Sequence, residues 1–285
     1  MSGSSNCATN KRRRSWLAVL LLLPLPLHIL ADDTQYLQSL RNTHYERVDS
    51  TVLGRPLHIY TMLPDSYTQE SESRYPTIYI LDGGALFPLL TGYYRYLHFN
   101  EEAPDAIIVG ISYGADDFEG GNFRSTDFTA PSDERDYWGG AERFQRFLAE
   151  ELLPRVESRY RSDVTQRIIF GHSLGGQFVL FTAQTQPELF HGHIASNPAL
   201  HRNLEFFLSS RPQRTSRSNL FVASGTRDEQ RFRTPLLEWV QHWSGVEPKP
   251  WRLKVLHLEG HTHMSAPPAS FRQGLSWLKA VDDED

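Results

Sequence analysis

Beyond residue 50 the chain alternates short, compact apolar runs with longer segments whose apolar residues recur every three or four positions. The first run, Leu57–Leu63, alternates apolar and polar residues and predicts an outer antiparallel strand. Thr77–Leu81, Ala106–Ile111 and Arg167–Phe170 are rich in Ile, Val, Tyr or Phe and end at Gly, Asp or Ser. Short two-sided apolar runs of this kind suit central parallel strands. His193–Ser196, Leu220–Ala223 and Leu253–Leu258 extend the series.

Between these strands, Glu142–Tyr160 places Phe144, Phe147, Leu148, Leu152, Leu153 and Val156 on one helical face. Further helices are predicted at Gly176–Thr185, Leu204–Ser209, Thr234–Trp243 and Phe271–Val281. Strand and helix in alternation specify an α/β domain, a mostly parallel sheet covered on both faces with right-handed crossovers. Residues 32–52 are polar and carry no predicted element. The longest irregular stretch is Tyr113–Asp136, and a loop that long inside a compact domain is usually functional. Only about two dozen residues separate Ser196 from Leu220, too few for a large lid, so an open pocket is expected.

The beginning of the chain reads differently. A basic cluster, Lys11 to Arg14, precedes an apolar run from Trp16 to Leu30 that Pro24 and Pro26 interrupt. This is the pattern of an export signal, with residues 1–31 removed after Ala31 and residues 32–285 forming the domain. The run falls short of the roughly 20 apolar residues of a comfortable membrane span, so an uncleaved anchor is the alternative and membrane contact depends on it. A periplasmic or secreted protein is the expectation. The only cysteine, Cys7, would leave with the signal. Four Lys or Arg and no Asp or Glu would leave too, taking the net charge from −5 to −9 and arguing against nucleic acid as a partner.

The chemistry concentrates at Gly171-His172-Ser173-Leu174-Gly175-Gly176, directly after one predicted strand and before a predicted helix. This is the nucleophile-elbow pattern in its required context, and it marks Ser173 as a nucleophile. The turn is so tight that its flanking positions must be nearly free of side chain, which Gly171 and Gly175 supply. His172 is expected to point away from the serine and to pack. A serine hydroxyl needs a base near neutral pH, and in the α/β-hydrolase fold an acid and then a histidine follow the serine. Asp228 is the first carboxylate beyond the strand Leu220–Ala223, with Glu229 as fallback and a solvated turn pairing Asp228 with Arg227 as the plain alternative. His257 lies within a predicted strand, whereas His261 and His263 both fall in the loop after it. No third clustered ligand accompanies that His-x-His pair, so neither a metal nor a cofactor is expected. Two backbone N–H groups, of Leu174 and of Gly84 in the loop Leu81–Ala85, are placed to form an oxyanion hole.

These residues resemble the Putative esterase, or esterase-D-like, family of α/β-hydrolases. Tyr79-Ile80-Leu81-Asp82-Gly83-Gly84, Gly171–Gly176 and Glu259-Gly260-His261-Thr262-His263-Met264-Ser265 carry the resemblance, which spans most of residues 50–280. The family commonly has Glu-Gly-x-x-His followed by a small residue, which implies His263 rather than His261 as base, and its Gly-x-x-Asp step implies Asp228 as acid. Arg124-Ser125-Thr126-Asp127-Phe128-Thr129 is similar to a stretch of the siderophore-esterase branch. That implies either Arg124 at the mouth of the pocket or an Arg124–Asp127 pair. Ser196-Asn197-Pro198-Ala199-Leu200 departs from the family's Ser-Pro-Ser, in a loop that borders the pocket in relatives, and Asn197 is its candidate substrate contact.

The resulting expectation is a serine esterase acting on a small-molecule ester through Ser173, His263 and Asp228, of siderophore type or another aryl or alkyl specificity. An acyltransferase with an acceptor other than water and a non-catalytic ligand-binding protein are the alternatives. Tyr93, Tyr94, Tyr96 and Phe99 offer either an aromatic wall for a phenolic group or, more commonly at such density on a helix, core.

Overall fold

The computed structural model describes Gly3 and residues 40–67, 72–209, 218–248 and 250–284. The chain divides into the units Met1–Asp32 and Asp33–Asp285, and all the elements below belong to the second. The segment 1–31 predicted to be an export signal, with Cys7, lies outside the described residues apart from Gly3.

Eight strands form one sheet: β1 (Thr43–Ser50), β2 (Arg55–Met62), β3 (Tyr75–Ile80), β4 (Ile107–Ser112), β5 (Ser162–His172), β6 (Gly192–Ser196), β7 (Asn219–Gly225) and β8 (Arg252–Leu258). Their spatial order is β1-β2-β4-β3-β5-β6-β7-β8. The β1–β2 and β2–β4 pairings are antiparallel, and every later pairing is parallel. This is the α/β-hydrolase arrangement. The strand β1 was not predicted: its sequence THYERVDS is polar because only Val48 and Ser50 turn fully inward. It lies at the sheet edge beyond β2, the predicted outer antiparallel strand.

The pleat sends alternate residues to two cores. Ile78 and Ile80 of β3 and Ile168 and Phe170 of β5 meet α1 (Gly83–Phe99) and α8 (Ala266–Glu284) on one face. Tyr79 and Ile169 belong to the other face, with α5 (Leu174–Thr185) and α7 (Gln230–Ser244). Both cores contain residues on each side of the sheet centre, so the strand ends that carry the site are fixed from above and below.

The predicted helix Glu142–Tyr160 is α3 (Ala141–Phe147) and α4 (Leu153–Arg159), joined by a wide π turn at Leu148–Leu152. Pro154 explains the interruption, because it lacks an N–H and its ring crowds the preceding turn. Within Tyr113–Asp136 there is one helical turn, α2 (Arg124–Asp127). Phe128, which follows it, is fully buried and meets the rings of Phe144 at 5.3 Å and Phe178 at 5.9 Å. That anchor ties the long loop to α5, the helix that follows Ser173. Between β6 and β7 the described residues contain only α6 (Leu204–Ser209). Tyr94 is core, whereas Tyr96 and Phe99 stand out to solvent and do not line the cleft described below.

His193 in β6 is fully buried, with Nδ1 3.2 Å from the Ser218 hydroxyl. Burial pushes its pKa from 6.5 down to about 3. Between those two values the unfolded chain binds a proton that the folded protein does not, so this residue makes stability fall as pH falls, by about 1.4 kcal/mol per pH unit. His193→Gln should therefore flatten the decline of unfolding free energy from pH 6.5 toward pH 3, measured by urea titration; an unchanged slope would mean the buried ring takes up its proton in the fold.

Candidate active site

The strand β5 ends at His172 and α5 begins at Leu174, so Ser173 alone makes the turn, with φ 58° and ψ −115°. Such a backbone is costly for any residue with a side chain and persists only where its surroundings enforce it. Here they do. A Cβ on Gly171 would lie 2.2 Å from the Gly175 carbonyl oxygen, so only glycine lets the helix start so close to the strand. The Ser173 N–H donates to the Ser196 carbonyl at 3.0 Å, and its own carbonyl accepts from Gln177 at 2.9 Å and Ala199 at 3.0 Å.

A cleft of about 690 Å³ opens at this turn, lined by Ser173, His172, His263, Gly84, Arg124 and Met264 among others. The first-turn N–H groups of a helix have no intrahelical acceptor and favour negative charge. Leu174 opens α5, and Gly84 follows the first residue of α1, so two such donors belong to helix starts bordering the cleft. The chain enters α1 through Asp82, in the left-handed conformation with φ 53°. A Cβ on Gly84 would sit 3.0 Å from the Ser112 hydroxyl, so glycine keeps this wall close to β4.

The acid and base positions meet as the loop order predicts. His263 Nδ1 lies 2.9 Å from Asp228 Oδ2, with side chains 12% and 2% exposed. Its Nε2 is buried and has no hydrogen-bond partner, which leaves a lone pair unused. Asp228 Oδ1 accepts the Glu229 N–H at 2.8 Å, and Oδ2 also accepts the Asn197 amide at 2.5 Å. Glu229 is exposed and pairs with Arg231, while His261 turns to the Ser265 carbonyl at 3.0 Å, so neither alternative joins the cluster. His257 is exposed on β8.

Three expectations need correction. Asn197 is not a cleft residue: it is 1% exposed, and it holds Asp228 instead. Its left-handed φ of 43° just beyond β6 turns the amide inward toward the carboxylate. Arg124 does line the cleft, but its partner is not Asp127; it forms a two-pronged pair with Asp82, at 2.7 and 2.9 Å. Burial disfavours its charge, yet the Asp82 carboxylate outweighs this and raises its pKa. Asp127 is instead buried against Arg55 and accepts the Tyr113 hydroxyl at 2.8 Å. His172 is not mere packing either: it borders the cleft, and its ring centroid lies 4.7 Å from that of His263. Its Nδ1 is 3.2 Å from the Ser196 hydroxyl, which donates to Ser270 at 2.9 Å. Burial, with the charges of His263 and Arg124, pushes the His172 pKa down to about 3, so the ring stays neutral.

Comparison with known proteins assigns the family. The model of the family described as Putative esterase matches residues 50–265. The chain belongs to that family. It is similar to the ferri-bacillibactin esterase BesA of Bacillus subtilis, with 30% identity over 84% of this chain and 90% of that protein. The apo-salmochelin esterase of Escherichia coli is 27% identical over 63% of this chain and 57% of its own. Among solved structures, the BES protein from Bacillus cereus superposes with a TM-score of 0.69 at 27% identity, covering 84% of this chain and 95% of that one. This esterase is thus a serine hydrolase of carboxylic esters, in the siderophore-esterase branch of its family.

The residues that sequence reasoning missed are Asp82 as the partner of Arg124 and Asn197 as the partner of Asp228. A charge-assisted hydrogen bond to a carboxylate is worth about 1.5–3 kcal/mol. Asn197→Ala should therefore reduce kcat for a small ester about tenfold with KM little changed, measured by steady-state hydrolysis; an unaltered kcat would show that Asp228 needs no second donor.

Proposed function

We infer that this esterase is an exported enzyme in which Ser173 attacks the carbonyl of a siderophore-type ester and is acylated by it. Ser173 Oγ bonds to the carbonyl carbon as His263 Nε2 takes the hydroxyl proton. Asp228 holds the imidazole with its other nitrogen protonated and stabilises the imidazolium that results. The developing oxyanion is received by the N–H groups of Leu174 and Gly84. The C–O bond to the alcohol then breaks, and the alcohol leaves with the proton from His263. Water, deprotonated by the same ring, displaces the acid from Ser173 and restores the enzyme.

The observation that carries this reading is the 2.9 Å contact of His263 Nδ1 with Asp228 in the cleft that also holds Ser173. His263 Nε2 is committed to no other hydrogen bond, so it is free to accept the Ser173 proton when the hydroxyl closes on it, and catalytic hydrogen bonds often tighten only in the reacting complex. The relatives from Bacillus and Escherichia are named as esterases of ferri-bacillibactin and of apo-salmochelin, which supports a siderophore-type ester as substrate. Export is supported by the basic cluster and proline-interrupted apolar run of residues 11–30, which also favours a periplasmic or secreted location.

Hydrolysis of a short-chain p-nitrophenyl ester should fall by about 10³-fold or more in Ser173→Ala, as removal of a nucleophile does. An equally active variant would remove Ser173 from the mechanism. Cleavage of a cyclic catechol triester faster than simple alkyl esters would support the siderophore assignment, and indifference to it would point to a general esterase.

A further inference from the structure

A single hydrogen bond fixes one edge of an imidazole but leaves the ring free to rotate about that contact. His263 makes one such bond, through Nδ1 to Asp228. What fixes the plane of the ring, and so the direction of Nε2, must press on its faces. Phe232 lies against it with ring centroids 4.0 Å apart and planes 18° from parallel. His172 packs against it as well, at 4.7 Å and 51°.

Phe232 is itself held. It sits in the first turn of α7, whose start is set by the same Asp228 loop, with Phe232 N–H donating to the Glu229 carbonyl at 2.9 Å. The His201 ring meets it edge-on at 5.0 Å, and the Arg231 guanidinium lies 4.5 Å from its centroid. The residue is only partly buried, whereas Leu236, Trp239 and Trp243 of the same helix face the core. It packs against the core that Leu236, Trp239 and Trp243 build, but its face is laid flat against an imidazole, a placement that core packing by itself does not require.

We propose that Phe232 is a positioning residue for the base: it sets the plane of His263 so that Nε2 is aimed at the reacting oxygen. This rests on the reading of His263 as base. The charged and titratable groups around the imidazole are Asp228 at its edge, neutral His172 beside it, and His201 and Arg231 behind Phe232. When His263 takes the serine proton, the aromatic face also lies where a cation is favoured.

The test compares Phe232→Ala, Phe232→Leu and Phe232→Tyr. A misplaced catalytic group costs up to about 100-fold. For a short p-nitrophenyl ester, Phe232→Ala should lower kcat about 10- to 100-fold with KM within about twofold, Phe232→Leu should remain impaired, and Phe232→Tyr should restore most of kcat. Proton NMR of the Nδ1–H shared by His263 and Asp228 gives a readout independent of turnover: its downfield signal should persist in the wild type and Phe232→Tyr and broaden or vanish in Phe232→Ala and Phe232→Leu. A kcat within twofold of wild type in Phe232→Leu, or an unchanged signal there, would overturn the proposal by reducing Phe232 to volume. If the wild type itself shows no activity dependent on Ser173, the proposed mechanism fails, and the NMR comparison still decides whether Phe232 sets the ring.

Discussion

The site depends on one backbone constraint, the strained turn at Ser173 that passes the chain from β5 into α5 without an intervening loop. It requires glycine at position 171, where any Cβ would strike the Gly175 carbonyl. It also requires the end of β6, because the Ser196 carbonyl receives the Ser173 N–H and the Ala199 N–H returns to the Ser173 carbonyl. The sheet and its two cores supply the rigidity against which that strain is held. In return, Ser173 stands at a helix start, in a cleft bordered by a second one at α1.

The electrostatics around the cleft follow from placing three carboxylates near it and giving each buried donors. Asp228 has Asn197, the Glu229 N–H and His263; Asp82 has Arg124; Asp127 has Arg55 and Tyr113. Burial works against the charge on Asp127 and raises its pKa despite Arg55. A carboxylate left with no donor at such depth would be far costlier than these pairs. The pairs divide the labour: Asp228 orients His263, Asp82 with Arg124 joins α1 to the long loop, and Asp127 ties that loop to β2.

Much of this was legible in the sequence. Strands β3, β4, β6 and β7 and the inner end of β5 were visible because burial on both faces makes them compact apolar runs, whereas the edge strand β8, mostly exposed or half-buried, was visible through its Leu253, Val255, Leu256 and Leu258; the elbow was visible because its sterics demand small residues at set positions. The strand β1 was hidden, since a strand with one wet face reads as polar chain. Asp228 could be found by its place beyond a strand, but local spacing left His261 and His263 equivalent, and only the family resemblance separated them. The structure shows the reason: the His261 carbonyl packs where a Cβ of Gly225 would be, 2.3 Å away, and accepts the Arg227 N–H, which directs His263 rather than His261 at the acid. Arg124 illustrates the opposite limit. Its neighbour Asp127 suited it in sequence, yet the true partner, Asp82, lies 42 positions away, and no local pattern reports a contact made by tertiary folding.

The most direct test of the account is to treat the protein with a fluorophosphonate, which reacts with an activated serine, and to locate the adduct by peptide mass spectrometry. A single adduct on Ser173, formed in the wild type and slowed strongly in His263→Ala, is the predicted result. An adduct on another residue, or labelling of Ser173 that proceeds equally well without His263, would contradict the claim that this strained serine is activated by that histidine.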